Sequence, residues 1–446
     1  MARAWLTDPA VGNGSGAFRR LPSKHVMLRA MRRPHAYPPD LARHVGSRWP
    51  SEGAPLPEPE LLCEALSVAH QASLTSEEGR PTRFRLLLMA PECLPESGAP
   101  NEGVLRLEFD RERPLAADEL RRLSPAAPFE VALIGCRVRD DGWSIWGIAH
   151  SGPAWLNPTW GGRSSVPNWT FDPIIHVTAP GHIAVRCAGK LVGALERGML
   201  VDGVLDVFES EWVPALFAAE RETVRREHSA LQSLSPSPTA AEHSLVSSVG
   251  QHMLRRAIQL VRNARHGGMI LVVDPAAPEL RGLRLKYRYA DREPAGRYRT
   301  LLLQILDRLA ARTSKDSVGW VDFASDESLE LERLERAVFE LSRVIAALAA
   351  IDGAVVLDKR LTMIGLGAEV SSDLPSPERV WRAFDLEGTR CQPEAVENVG
   401  TRHRAAYRFA LQNPGGLAIV ISQDGGVVFV AQRQGKVVYW EQSVSP

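Results

Sequence analysis

The chain has 446 residues, 44% of them hydrophobic, with 53 Lys and Arg balanced by 53 Asp and Glu for a formal net charge of zero. That length supports two or three domains with a core each, and the balanced charge gives no electrostatic footprint for nucleic acid or an anionic membrane surface. No apolar run reaches the roughly 20 residues of a bilayer span, the opening Met1–Asp8 meets Asp8 and Pro9 too early for a signal-peptide core, and the five dispersed cysteines lack a Cys-x-x-Cys pair. The expectation is a soluble cytoplasmic protein of bacterial type with reduced thiols, without nucleic-acid or membrane partners.

The first fifty or so residues are rich in Arg, Pro and Gly and show little periodicity. Helical spacing begins at Glu60 and runs to Ser73, with Leu61, Leu62, Ala65, Leu66 and Ala69 on one face. Residues 84–89 read as a strand. Two more, 131–138 and 143–150, flank the turn signal Asp140-Asp141-Gly142 and predict a hairpin. Strands at 174–177 and 183–187 are separated by Pro180-Gly181. An amphipathic helix is expected over 211–231. The run Ser233-Leu234-Ser235-Pro236-Ser237-Pro238-Thr239 cannot hold a helix and reads as a linker. The division is therefore an N-terminal α+β domain over 1–232, a linker over 233–244, and an α/β domain over 245–446. A second irregular stretch is expected at 314–326, a long helix over 331–350, a short buried strand at 355–357, and another strand at 418–423 ending in Ser422-Gln423.

In the N-terminal half Trp143, Trp146, Trp155, Trp160 and Trp169 are interleaved with Asn157, Asn168, Gly161 and Gly162. Aromatics beside amides and glycines can form a ligand platform, but tryptophans covering the core of a small β-rich domain explain them equally well and are the favoured reading. His150 and His176 lack partners at metal-ligand spacing, which favours structural roles.

Two short motifs carry chemistry. Asp352-Gly353-Ala354 sets a carboxylate beside a residue without a side chain, so that a bulky ligand can lie against the backbone. Gly400-Thr401-Arg402-His403-Arg404-Ala405-Ala406 places two guanidinium forks and an imidazole in one turn, a donor set suited to phosphate oxygens. A carboxylate for metal and hydroxyl, with a basic loop for phosphates, is a minimum set for nucleotidyl transfer. Taken singly, each piece has a bland explanation: a turn-capping Asp, arginines paired with acids of the 372–397 segment, a structural His, a Ser hydrogen-bonding within its turn.

Together, in this order and between these elements, the motifs resemble the diadenylate cyclase (DAC) domain, which joins two ATP molecules into cyclic di-AMP. Arg265-His266-Gly267-Gly268 ahead of Met269–Val273 is similar to that family's first Gly-then-strand element, so the resemblance covers roughly 245–446. The Ser422-Gln423 pair is similar to the DNA-integrity-scanning (DisA) branch. The resemblance implies a mixed central sheet flanked by helices, ATP as substrate, Mg²⁺ or Mn²⁺ as cofactor, and self-association so that two domains face each other. It implies that Asp352 binds the metal ion and polarises the attacking hydroxyl, that Gly353 and Ala354 approach the nucleotide, that Gly400, Thr401, Arg402, His403 and Arg404 embrace the phosphates, and that Ser422 and Gln423 line the phosphate end.

The chain departs from the pattern in three places. Gly365–Val370 stands where an apolar, Pro-containing segment is common, an extra helix is expected around 377–384, and Gln423 replaces a possible metal-ligating glutamate. No helix-hairpin-helix DNA-binding tail is evident. The N-terminal half, through Glu77-Glu78-Gly79-Arg80-Pro81 and Ile145-Trp146-Gly147, resembles the sensor domains called DACNV, whose ligand the sequence does not name. Three classes follow: a sensor-regulated cyclase, a catalytically inactive nucleotide-binding sensor on the DAC fold, and a dimerisation module.

Overall fold

The computed structural model describes residues 35–94, 104–140, 142–152, 161–163, 171–196, 198–201, 205–233, 238–275, 280, 282–290, 292–396 and 399–442. After a small ladder of β1 (Ser76–Glu77) and β2 (Arg80–Pro81), the N-terminal strands are β3 (Phe84–Leu88), β4 (Leu105–Pro114), β5 (Ala132–Arg139), β6 (Gly142–His150), β7 (Ile174–Ala179), β8 (His182–Cys187), β9 (Lys190–Glu196) and β10 (Met199–Val201). The last eight form one sheet in the order β10-β9-β8-β7-β3-β5-β6-β4. Only β3 and β5 run parallel in it. The expected hairpin is β5–β6, and Gly181, at φ +71°, makes the turn between β7 and β8.

Helices Pro38–Arg48 and Pro59–Ser73 cover one face of this sheet. Leu41, Val45, Leu62 and Leu66 meet Phe84, Leu86, Ile134, Ile175, Val177 and Val185. The first of these helices lies in the segment where the sequence shows little periodicity. Its sequence PPDLARHVGSR contributes only four buried residues, too few to stand out from the surrounding Arg and Pro. Trp143 and Trp146 are core residues, their indole N–H groups donating to the carbonyls of Leu61 (2.9 Å) and Met89 (2.8 Å). Trp155, Trp160, Trp169, Asn157 and Asn168 lie outside the described residues. All five cysteines are free thiols.

In the C-terminal half β11 (Ala240–Ala241) pairs with β14 (Ser317–Val318), while β12 (Gly268–Val273), β13 (Leu283–Arg288), β15 (Ala354–Asp358), β16 (Met363–Val370), β17 (Arg379–Ala383), β18 (Cys391–Ala395), β19 (Leu417–Ile421), β20 (Val427–Arg433) and β21 (Lys436–Gln442) make a mixed sheet. Its order is β13-β16-β15-β12-β19-β20-β21-β17-β18. The central strands read as continuous apolar runs because helices cover both faces. Ile270, Val355, Ile419 and Phe429 pack under helices His243–Asn263, Arg297–Ala310 and Leu329–Leu348, and Leu271, Val356, Val420 and Val430 under helix Thr401–Gln412. The Leu329–Leu348 helix starts where the Ser328 hydroxyl accepts from Leu331 N–H, with Glu330 and Glu332 in its first turn, as the helix dipole favours.

Three expectations change. The region around 377–384 holds strand β17 (Arg379–Ala383), hairpinned to β18, and not a helix. The Asp385 carboxylate accepts from the Thr389 and Arg390 N–H groups and fixes the connecting turn. The irregular stretch 314–326 contains helix Trp320–Ser325, started by the Asp322 carboxylate accepting from Gly319 N–H (2.8 Å). The single helix over 211–231 is two, Trp212–Leu216 and Ala218–Gln232, because Phe217 leaves helical geometry at φ −101°, ψ 5°. Val207, Phe208, Trp212, Val213 and Val224 also pack in the C-terminal core, where Trp212 stacks on Trp440 at 4.5 Å. The segment from Val207 to Val224 thus shares the core of the C-terminal half.

The two halves are clasped by Gly161–Arg163. Gly162 N–H donates to His252 Nδ1 (2.9 Å), Arg256 donates to the Gly161 carbonyl (2.7 Å), and Arg163 pairs with Glu335 (3.3 Å) over the Phe323 ring. Burial and the neighbouring Arg255 and Arg256 push the His252 imidazole down to about 3, which keeps Nδ1 an acceptor.

Candidate functional site

Sheet register gathers the motif residues at one edge. β12 runs parallel to β15 with Ile270 opposite Val355, and antiparallel to β19 with Gly268 opposite Ile421. The parallel ladder ends at Ile270 and Val355, so Gly267 and Asp352, each three residues before it, lie at the same end of the sheet. Ser422 and Gln423 leave β19 at the same edge.

Helix Thr401–Gln412 brings the basic motif there. A Cβ on Gly267 would lie 2.7 Å from Arg402 Nη1 and 3.4 Å from Gln423 Cγ, so the first-strand glycine, Arg402 and Gln423 are in contact. Gly267 itself has φ +68°. This helix breaks the usual rules for a helix start. Its N-cap is Gly400 with no side-chain cap, its first turn has no acidic residue, and Arg402 and Arg404 sit at the positive end of its dipole. No carboxylate pairs with Arg402 or Arg404 among the described residues. An uncapped helix start with the Arg402 guanidinium beside it suits an anion. A local rule broken without compensation is where function is expected.

His403 is half-buried, and burial lowers its basicity while Asp424 and Glu441 pull the other way. Its ring lies 6.4 Å from that of Tyr407. Ser422 closes the following turn, its N–H donating to the Gly426 carbonyl (2.8 Å) while its own carbonyl accepts from Gly425 N–H (3.1 Å).

Asp352 is exposed just ahead of β15. Gly353, at φ +108°, is required there: a Cβ would meet the backbone of Gly367 at 2.7 Å and the Ala368 carbonyl at 2.9 Å. The close approach that the Asp-Gly-Ala spacing suggests is therefore to strand β16 of the protein itself. Ala354 is buried against Ala368. Lys286 on β13 ion-pairs with Glu369 (3.0 Å) within electrostatic reach of Asp352. Sequence reasoning missed Lys286, Glu369, Asp424 and Glu441, which come from strands and turns distant in sequence and carry no local motif.

Among the described residues no group of three or more His, Cys, Asp or Glu could hold a metal by itself. Mg²⁺ or Mn²⁺ is commonly held by one or two carboxylates plus substrate phosphates and water, and the exposed Asp352 at this end of the sheet is the carboxylate that would serve.

An apolar cavity of about 50 Å³, lined by Phe208, Phe217, Val246, Leu254, Tyr298 and Leu361, lies near the other end of β15, away from this edge. Residues 51–150 match the family model described as "Probable sensor domain DACNV", and the match does not extend into the C-terminal half. No curated protein matches the chain significantly. No helix among the described residues is long and apolar enough to cross a membrane.

Proposed function

We propose that the C-terminal half is a diadenylate cyclase domain condensing two ATP into cyclic di-AMP and two pyrophosphates, controlled by the N-terminal sensor-type domain. The observation carrying this reading is the placing at one end of the sheet of the exposed Asp352 and of an uncapped helix start whose Arg402 and Arg404 pair with no carboxylate among the described residues. The match of residues 51–150 supports it, because DACNV domains are found N-terminal to diadenylate cyclase domains.

In each half-reaction the 3′-hydroxyl oxygen of one ATP bonds to the α-phosphorus of the other. The bond from that phosphorus to the bridging oxygen breaks, and pyrophosphate leaves. Asp352 orients the attacking hydroxyl and draws off its proton. A divalent cation, when bound, neutralises phosphate charge and lowers the hydroxyl pKa. Arg402, His403 and Arg404, with the N–H groups from Thr401 onward, hold the phosphates and offset charge growing on the leaving oxygen. Gln423 and Ser422 line the same end. Because each site would hold one ATP, two chains must face each other, and the interface is symmetric.

The test is incubation of the full chain with ATP and Mg²⁺ or Mn²⁺, with products resolved by mass spectrometry. Cyclic di-AMP from the native protein, lost in Asp352→Asn with the fold intact, is the expected result. Continued synthesis by Asp352→Asn would remove the carboxylate's role. ATP binding without product from the native chain would favour the nucleotide-binding sensor, and no binding the dimerisation module.

A further inference from the structure

The N-terminal sheet has a second face, opposite its helix-covered core, where a cationic patch adjoins the apolar cluster of Leu87, Leu133, Trp146 and Ile174. Alternation along β3 points Phe84 and Leu86 into the core and Arg85 the other way. On β7 and β8 the same alternation turns His176 and Arg186 to this side. Arg85 pairs across strands with His176, and Arg186 lies opposite Ile174, two residues from His176, so the three form one patch. Arg83, two residues before Arg85, joins it, with both guanidiniums over the Phe129 ring at 5.2 and 5.7 Å.

The patch is buried, with Arg186 only 2% exposed. One of its nitrogens donates to the Gly189 carbonyl, while Nε and Nη2 are buried without a partner. Facing it is the end of helix His243–Asn263, whose Arg262 interacts electrostatically with Arg186, Arg83 and Arg265. Among the described residues the carboxylates that act on these guanidiniums are Glu130, beside Arg83 and Arg85, and Glu196, beside Arg262. Cations outnumber these carboxylates among the described residues, and the helix C-terminus offsets only a fraction of a charge. Burying a guanidinium with unmet donors costs several kcal/mol unless an anion pairs with it. A tetrahedral oxyanion accepts such forks bidentately.

We propose that Arg83, Arg85, His176 and Arg186, with Arg262 across the interface, form a binding site for a small phosphate-type oxyanion, free or as the terminal group of a larger ligand. This is the ligand class the sensor half would read, and the site stands on its own geometry whether or not the C-terminal half is a cyclase. Its connection to the candidate catalytic edge is short. Arg262 Nε donates to the Gly425 carbonyl (3.1 Å), in the turn that begins at Ser422. An anion drawn onto Arg262 pulls on that turn.

The experiment measures binding of inorganic phosphate and of pyrophosphate to the full chain by calorimetry, at constant ionic strength in chloride. The expected result is saturable binding that weakens at least tenfold in Arg186→Met and persists in Arg402→Ala. Binding by Arg402→Ala that survives the further change Arg186→Met, binding that disappears in Arg402→Ala alone, or no binding by the native chain overturns the proposal. Should Arg186→Met not fold, Arg83→Ala, a change at the partly exposed member of the site, gives the same contrast, with a several-fold loss expected and no change contradicting it.

Discussion

Gly353→Ala tests how the Asp352 turn is built, independently of any activity. The residue sits at φ +108°, in a region that L side chains rarely enter. Leaving it unstrained is impossible without rotating the turn, at a cost of roughly 1–2 kcal/mol. The added methyl would also lie 2.7 Å from the Gly367 carbonyl carbon and 2.9 Å from Gly367 Cα and the Ala368 oxygen. All three are backbone atoms of a strand hydrogen-bonded on both sides, to β13 and β15, and cannot swing aside as a side chain can. Overpacking of this kind adds about 1–3 kcal/mol. The sum, about 2–5 kcal/mol, is a large part of the ~5–15 kcal/mol that holds a domain together. Urea denaturation followed by tryptophan fluorescence should show the midpoint falling with little change in slope. Asp352→Asn, one residue away and exposed, should stay within about 0.5 kcal/mol of the native protein. A Gly353→Ala midpoint indistinguishable from native would refute the argument that strand β16 is packed against this glycine.

Arg402→Ala should weaken ATP binding about tenfold or more, through loss of a charge-assisted contact worth about 1.5–3 kcal/mol. It should also raise stability by a few tenths of a kcal/mol by removing a cation from the positive end of the helix, with the two effects read by calorimetry and thermal melting. Arg163→Ala removes the partner of Glu335, whose carboxyl burial already pushes up, and should cost about 3–5 kcal/mol while exposing the junction of the halves to protease; unchanged melting and proteolysis would show that the clasp contributes nothing. Burial raises the Asp172 carboxyl from 3.8 to about 6. The folded chain therefore holds this proton more tightly than the unfolded chain, and its stabilising contribution is present below pH ~4 and lost as pH rises through about 6. With the group half in solvent the effect is reduced to about 1 kcal/mol, so Asp172→Asn should melt higher relative to native at pH 7.5 than at pH 4.

The long periodic elements were legible in the sequence. The helices beginning at Pro59 and Leu329 and the strands at 132–139, 142–150 and 417–421 follow from apolar spacing and turn residues alone. The hairpin β17–β18 was not, because Pro375, Pro377 and the charged run Glu378-Arg379 mimic a helix start, while strand pairing there depends on β21, more than fifty residues later. The site was legible as two motifs but not as an assembly. Nothing local shows that Gly267 lies against Arg402, since that contact joins residues 135 apart through the antiparallel pairing of β12 and β19. The cationic face escaped notice for the same reason: Arg85, His176 and Arg186 are single polar residues in apolar strands, and only cross-strand register makes them neighbours.

The outermost strands of the nine-stranded sheet bear on how copies of this chain can meet. At one margin β13 presents Arg284, Lys286 and Arg288, and at the other β18 carries Pro393, which has no N–H to offer a visiting strand. Charges and proline are the means by which exposed margins refuse further strands. Neither rim is a template for extending the sheet from one molecule into the next, which guards against fibrous stacking. The pairing of chains that the proposed reaction requires would then fall to the loops and helix ends, where a finite two-fold assembly can close.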